Sequence, residues 1–417
     1  MASVRDVRQL LCGAGEVALL DVRDTQAFAA GHIPVSRPLP LAVLEREAGR
    51  RLPRVSVRTV VCDLDGKAAG EADRASRALA RLGHGDVDVL EGGVRAWQAA
   101  GLPLAEGHAT LARAFGERAR RHYATPSITP AQLHDRLAAA RPTSIIDVRQ
   151  PPEFAFASIP GAANLPGLDV LGLQLDAADP DHLWVVTCFS RTRGVVATTS
   201  LQRLGGVERV AWLEDGVMAW FVEGLGVAQA AASAPVPPEH SDARKAAVAA
   251  RIIGRHRLPV ITPAMLDAWR DDGTRSLYVF DVRQQGAGRA GDGIRHVPGA
   301  QLLMHFDQHV PVRGARIVLV DDGHLLAAAA AAFWLAQLGE ADVHILEGQP
   351  GTDAARAGDA APDPPPPADT APAGVWGPVM RMQPAQRAEL YPRFLDWERH
   401  VAARTAGDPT LRFRFFP

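Results

Sequence analysis

The chain repeats itself, and that repetition limits its fold more than any other feature. Three segments carry an apolar run closing on Asp-Val-Arg, at residues 19–23, 145–149 and 279–283, with starts 126 and 134 residues apart. Each is followed by a proline-marked segment: His32-Ile33-Pro34, Ser158-Ile159-Pro160-Gly161-Ala162 and His296-Val297-Pro298-Gly299-Ala300. A second apolar run comes next (59–62, 184–187, 317–320), then a third that ends in a turn (89–93, 212–216, 345–348). Short apolar runs bounded by turn residues suit buried parallel strands. Helical stretches lie between them at 68–82, 194–204 and 325–338. Strands alternating with helices predict βαβ units, an α/β class in which each parallel sheet is flanked by helices.

The repeats place three domains at 1–106, 122–228 and 256–350. Residues 230–239 are Ala/Pro-rich, and 351–374 include four consecutive prolines; both read as linkers. The tail, 375–417, has a helical pattern around Leu390, Phe394, Trp397 and Val401. It is too short to fold alone, so it is expected to dock on a domain; self-association into a homo-oligomer is the second reading.

Composition narrows the function. The 417 residues hold 45 basic and 47 acidic side chains, for a net charge of −2, so no global basic excess attracts nucleic acid or an anionic membrane. Only Lys67 and Lys245 are lysine; the arginine skew reads as compositional. Three cysteines cannot make a disulfide framework. The longest apolar run, 325–336, has 12 residues, short of the roughly 18 that span a bilayer. With no signal-peptide pattern at the N-terminus, a cytoplasmic protein with reduced thiols is expected.

The informative position follows the second strand of each repeat, because ligands of open parallel sheets bind at the carboxyl ends of strands. Alignment puts Asp63, Cys188 and Asp321 there, 42, 41 and 40 residues after the Asp of each Asp-Val-Arg. Only the middle repeat has a thiol, in Cys188-Phe189-Ser190-Arg191-Thr192-Arg193-Gly194. A thiolate at a helix N-terminus beside arginines is expected to have a depressed pKa and to be a good nucleophile. Small residues at 190, 192 and 194 let the loop curl into an anion nest of N–H groups. The two arginines argue against burial of the thiol in an apolar site. Cys62, inside a strand, reads as core, and Cys12, near the end of the first helix, as a partly buried ordinary thiol. The 14 histidines show no zinc-site spacing, so no metal is expected, and His32 and His296 read as structural. No phosphate-binding or dinucleotide motif appears, so no cofactor is expected.

At these residues the chain resembles the rhodanese family of sulfurtransferases. The Asp-Val-Arg start, the Ile-Pro-Gly-Ala segment, the Cys-centred loop and the Leu-Glu-Gly-Gly…Ala-Trp ending (90–97; 213–220 with Asp215 in the first Gly position) follow that family's order. The tandem layout and the aromatic tail resemble bacterial multidomain members. The resemblance implies that Cys188 takes sulfane sulfur from a donor such as thiosulfate as a persulfide, then passes it to a thiol or cyanide acceptor. Phe189, Ser190, Arg191, Thr192, Arg193 and Gly194 would form the substrate loop. Arg191 matches the position where thiosulfate-preferring members carry a cation, and Arg193 matches the loop-closing arginine. Asp147 and Arg149 would support the loop from the first strand. Domains one and three, with Asp63 and Asp321-Asp322 at the nucleophile position, would be silent. Phe156-Ala157-Ser158, where many members have a Gly-His pair, implies a different pocket rim. A non-turnover persulfide carrier serving a sulfur-acceptor protein is the non-enzyme alternative. A cysteine phosphatase would need arginine six positions after the cysteine, where Gly194 stands, and an arsenate reductase would need a second nearby cysteine.

Overall fold

The structure is a computed structural model that describes residues 1–175, 179–229, 232–284, 293–348 and 379–417. The Pro-rich stretch 351–374 and the first residues of the tail lie outside the described residues.

Each repeat builds a parallel sheet from the apolar runs. Repeat one supplies β1 (Val17–Asp21), β2 (Arg37–Pro38), β3 (Thr59–Cys62) and β4 (Val87–Val89). Repeat two supplies β5 (Ser127–Ile128), β6 (Thr143–Asp147), β7 (Ala163–Asn164), β8 (Leu183–Thr187) and β9 (Val210–Leu213). Repeat three supplies β10 (Val260–Ile261), β11 (Leu277–Asp281), β12 (Ile294–His296), β13 (Val312–Arg313), β14 (Arg316–Val320) and β15 (Asp342–Leu346). The second and third sheets share one order, β5-β9-β8-β6-β7 and β10-β15-β14-β11-β12. The central strands are buried along nearly their whole length, which is why they read as unbroken apolar runs.

The Asp-Val-Arg signature has a structural cause. In each repeat the Arg folds back on the Asp two residues earlier: Nη2 to Oδ2 is 2.5 Å in Arg23–Asp21, 2.6 Å in Arg149–Asp147 and 2.5 Å in Arg283–Asp281. In the first two the same guanidinium also donates to a carbonyl beyond the following helix, Gly31 O and Ala157 O. The pair therefore fastens the strand end to the proline-marked segment, and its bidentate geometry satisfies two charges that burial would otherwise penalise.

The repeats are not independent beads. β13 leaves its own sheet and pairs antiparallel with β1 (Val17 opposite Arg313), covering an edge of the first sheet. Beside it, Glu340 accepts from Arg37 of repeat one at 2.6 Å and pairs with Arg313 at 2.9 Å, all three fully buried. Two further elements bind the repeats together. The helix Thr110–Tyr123, between repeats one and two, buries ten of its residues, from Thr110 to Tyr123. The tail forms the helix Pro384–Arg404, which packs on this helix and on Gly216–Val222, so docking is the observed arrangement. Its last residues reach repeat one, the helix Thr110–Tyr123 and repeat three. Phe415 stacks on Phe115 with centroids 5.4 Å apart, Arg412 donates to Leu11 O at 2.6 Å, and Arg414 N donates to Gln337 O at 2.8 Å.

Replacing Glu340 with Ala leaves two buried guanidinium groups without a counter-charge. The expected cost is about 3–5 kcal/mol, read as a lowered urea midpoint; a wild-type midpoint would show the pair to be dispensable.

Candidate functional site

The candidate site is built where β8 ends. Cys188 follows Thr187, the loop turns, and the helix Thr192–Ser200 begins. The next helix, Gly216–Val222, stands directly on this loop: Val217 N donates to Cys188 O at 2.9 Å and Met218 N to Phe189 O at 3.0 Å. The loop carbonyls thus satisfy N–H groups that a helix start leaves unpaired. Contact this close requires Gly216, since a Cβ there would sit 2.4 Å from Cys188 O and its φ is +60°. Gly93 stands in the same relation to Asp63 O in repeat one, which accounts for the Glu-Gly-Gly signature. The curl turns the N–H groups of Gly194 and Ser190 onto the Cys188 sulfur. Gly194 has no room for a side chain, because a Cβ would lie 2.6 Å from Trp212 Cδ1 and 3.4 Å from Cys188 Sγ.

Several electrostatic expectations need correction. Cys188 is buried, 1% exposed, despite its two arginine neighbours. Its thiol is pushed up to about 11, not depressed. Burial is the largest cause; the Arg193 charge and the N–H of Gly194 pull down against it, while Glu398 pushes up. Arg191, expected to offer a free cation, is turned into the protein. It donates to Glu117 Oε2 at 2.7 Å and to Asp215 Oδ1, and its guanidinium lies 5.1 Å from the Trp212 ring centre. Asp215 holds Arg399 as well, so this arginine helps lock the tail helix down. Arg193 is the cation that acts on the sulfur, and Glu153 grips it through two 2.7 Å bonds. Burial pushes the Glu153 carboxyl up, but Arg193, helped by Arg149, prevails and holds it below the usual range.

Of the expected loop residues, Cys188, Ser190, Thr192 and Arg193 line one cavity. The Phe189 side chain does not; it packs with Met218 and edge-on against Tyr391 of the tail helix. Arg149 lies under the loop with its guanidinium 5.4 Å from the Phe189 ring centre, and Asp147 holds that guanidinium. Both therefore support the loop from below. The rest of the wall comes from elsewhere: Ala109 and Arg113 from the start of the helix after repeat one, Glu153 from the helix after β6, and Gln301, Met304 and His305 from repeat three. Arg113 is itself held by Glu398 of the tail helix. Nothing local in the sequence announces these residues. One signal was readable, Asp215 at a position whose φ of +57° favours glycine, which marks a side chain retained for a reason.

The equivalent loops of the other repeats carry their own anion. Asp63 Oδ1 accepts from Gly66 N at 2.6 Å and Oδ2 from Ala72 N at 2.9 Å; Asp321 accepts from Asp322 N at 2.6 Å and Ala328 N at 3.1 Å. Asp321, Asp322 and His324 also bring one possible ligand atom each within 4.8 Å of one another. Cys62 is buried at the end of β3. Cys12 is exposed rather than partly buried, because it closes the first helix at the surface. His32 bonds Phe28 O at 2.9 Å and Thr110 Oγ1 at 3.0 Å, and His296 bonds Arg283 O at 2.8 Å, so both serve packing. No helix among the described residues is long and apolar enough to cross a membrane.

The family model for the Rhodanese-like domain matches residues 3–100 and 129–223. A "Sulfurtransferase" of Allochromatium vinosum is 31% identical over 100 residues, covering 24% of this chain and 92% of that protein. An HTH-type transcriptional regulator of Mycobacterium tuberculosis is 38% identical over 94 residues, 22% of this chain and 40% of the regulator, so this chain spans less than half of that relative. The crystal structure of a thiosulfate sulfurtransferase from Pseudomonas aeruginosa superposes with a TM-score of 0.84 at 26% identity, covering 100% of this chain and 99% of that one.

Two measurements test this electrostatic picture. Alkylation of Cys188 by iodoacetamide should speed up as pH rises toward about 11, and Arg193→Gln should move that profile to higher pH, since Arg193 favours the thiolate; an unmoved profile would remove Arg193 from the account. Glu117 is held at about 2, below its ordinary 4.5: burial raises it, but Arg120 and Arg191 win. Its stabilisation is complete above pH 4.5 and is lost as pH falls from there through about 2. Glu117→Gln should flatten the acid limb of a urea-midpoint profile in that window; an unchanged acid limb would contradict the pairing.

Proposed function

The chain belongs to the rhodanese-like family of sulfurtransferases, and from that premise we propose that Cys188 is its sulfur-carrying nucleophile, with thiosulfate or a similar sulfane compound as donor. The reading is carried by one observation: among three equivalent loops, only that of domain two presents a sulfur atom to converging N–H groups and a nearby guanidinium. The other two present carboxylates that already fill the nest.

In the first half-reaction the Cys188 thiol gives its proton to solvent and the thiolate attacks the outer sulfur of the donor. A bond forms between Sγ and that sulfur, the donor's own S–S bond breaks, and sulfite leaves with the electron pair. Two N–H groups and Arg193 stabilise the resulting persulfide anion. In the second half-reaction an acceptor thiolate or cyanide attacks the outer sulfur, the Cys188 S–S bond breaks, and the pair returns to Cys188 as thiolate. The thiol's high pKa limits the free protein, and an anionic product sulfur is held by the same donors that oppose burial. Gly194, crowded by Trp212, leaves no place for the phosphate-clamping arginine of a cysteine phosphatase. Domains one and three carry no sulfur in this scheme, since a carboxylate cannot carry sulfane sulfur.

Purified protein with thiosulfate and cyanide should release thiocyanate and sulfite, and Cys188→Ala should reduce this to background. Mass spectrometry after thiosulfate should find one added sulfur on the Cys188 peptide and none on those of Cys12 or Cys62. Full activity in Cys188→Ala would overturn the proposal. A persulfide that forms but does not turn over with small acceptors would favour the carrier reading.

A further inference from the structure

We infer that the cysteine-less domain three completes the Cys188 site, with His305 and Gln301 hydrogen-bonding the oxyanion end of a thiosulfonate-type donor. This rests on the reading of Cys188 given above and adds the residues that recognise the donor. Attack on a sulfane sulfur runs along the bond being broken. The leaving sulfite group must therefore lie beyond the transferred sulfur, toward the walls that the Cys188 loop does not supply. Those walls are Ala109, Arg113, Gln301, Met304 and His305, with Glu153 beside them.

Their chemistry separates them. Ala109 and Met304 are apolar and pack together with Ala112, a contact that presses domain three onto the helix Thr110–Tyr123. The guanidinium of Arg113 is taken up by Glu398, and Glu153 is taken up by Arg193. His305 differs: its Nδ1 is buried and has no hydrogen-bond partner. A buried ring nitrogen left unpaired is costly, so it marks a place where a ligand's polar atom belongs. Gln301 lies four residues earlier, mostly buried on the helix Gly299–Met304; His305 N donates to Gln301 O at 2.9 Å, which fixes one residue relative to the other.

Burial, then Arg193 and Arg113, hold the imidazole down at about 4, so at neutral pH it is uncharged. The other charged groups facing it are Glu153 and, when protonated, His108. His305 therefore recognises by hydrogen bonding. That suits a pocket whose guanidinium groups are already matched by carboxylates, and it assigns to domain three a task that Arg191 cannot perform from its buried pairs.

The test uses the full chain and thiosulfate itself. Loading of Cys188 is followed by quenched intact-protein mass spectrometry across thiosulfate concentrations, with iodoacetamide alkylation of Cys188 as a measure of thiol access. His305→Ala should raise the thiosulfate concentration for half-maximal loading about 10-fold, the loss of one hydrogen bond. The limiting rate should fall much less, and alkylation should stay within about twofold of wild type. Gln301→Ala should act in the same direction, and His305→Gln, which retains hydrogen-bonding capacity, should recover most of the loss. A His305→Ala chain that loads like wild type overturns this inference alone. So does a His305→Gln chain as impaired as His305→Ala, because packing would then explain the effect. A wild-type chain that gains no sulfur overturns the Cys188 reading and this one together.

Discussion

The site depends on one helix, Thr110–Tyr123, that is buried along most of its length. An amphipathic helix would need only one partner; a helix buried on most faces must be met by several, and each polar side chain on it must find a mate. Gly116 permits the closest approach: a Cβ there would fall 2.6 Å from Thr192 Cγ2, so the helix lies directly on the Cys188 loop. One turn earlier Arg113 pairs with Glu398, and the next residue, Glu117, pairs with Arg191. Phe115, between them, meets Trp334 of domain three and Phe413 and Phe415 of the tail. Domain two, domain three and the tail are thereby held at fixed places around a single axis.

Seen from that axis, the three equivalent loops are three solutions to the same problem. Each gathers N–H groups at the carboxyl end of a strand, and such a nest calls for an anion. Asp63 and Asp321 supply it from within the chain. Cys188 supplies only a neutral thiol, held neutral by burial, so its nest is satisfied fully only when the sulfur carries charge. The arginine pairing follows the same logic. Glu117 and Asp215 absorb Arg191, Glu153 fixes Arg193, and Glu398 absorbs Arg113. The cavity combines one positioned cation field with otherwise neutral donors.

Much of the fold was legible because its cause is local. Buried parallel strands must be apolar, the Asp-Val-Arg pair closes over two residues, and the glycine of the Glu-Gly-Gly turn is required where a helix end meets a carbonyl. These constraints act between near neighbours, so they leave a pattern that repeats wherever the unit repeats. The position of Cys188 was legible for the same reason. The helix 110–123 leaves no such pattern, since its buried charged residues, Arg113 and Glu117, look like surface residues until their distant partners are known.

The sequence by itself determined three α/β units, the single sulfur-bearing loop and the two loops that close on aspartate, because strand burial, turn geometry and ligand chemistry depend on residues a few positions apart. Only the tertiary structure decided that the thiol is buried with a raised pKa, that Arg191 faces Glu117 and Asp215, and that Gln301 and His305 wall the cavity. The physical reason is range. Desolvation and ion pairing are set by whatever chain segments meet at a point, and here those segments lie from 24 residues apart, for Arg191 and Asp215, to more than a hundred, for Cys188 and His305, brought together by packing that no local pattern records.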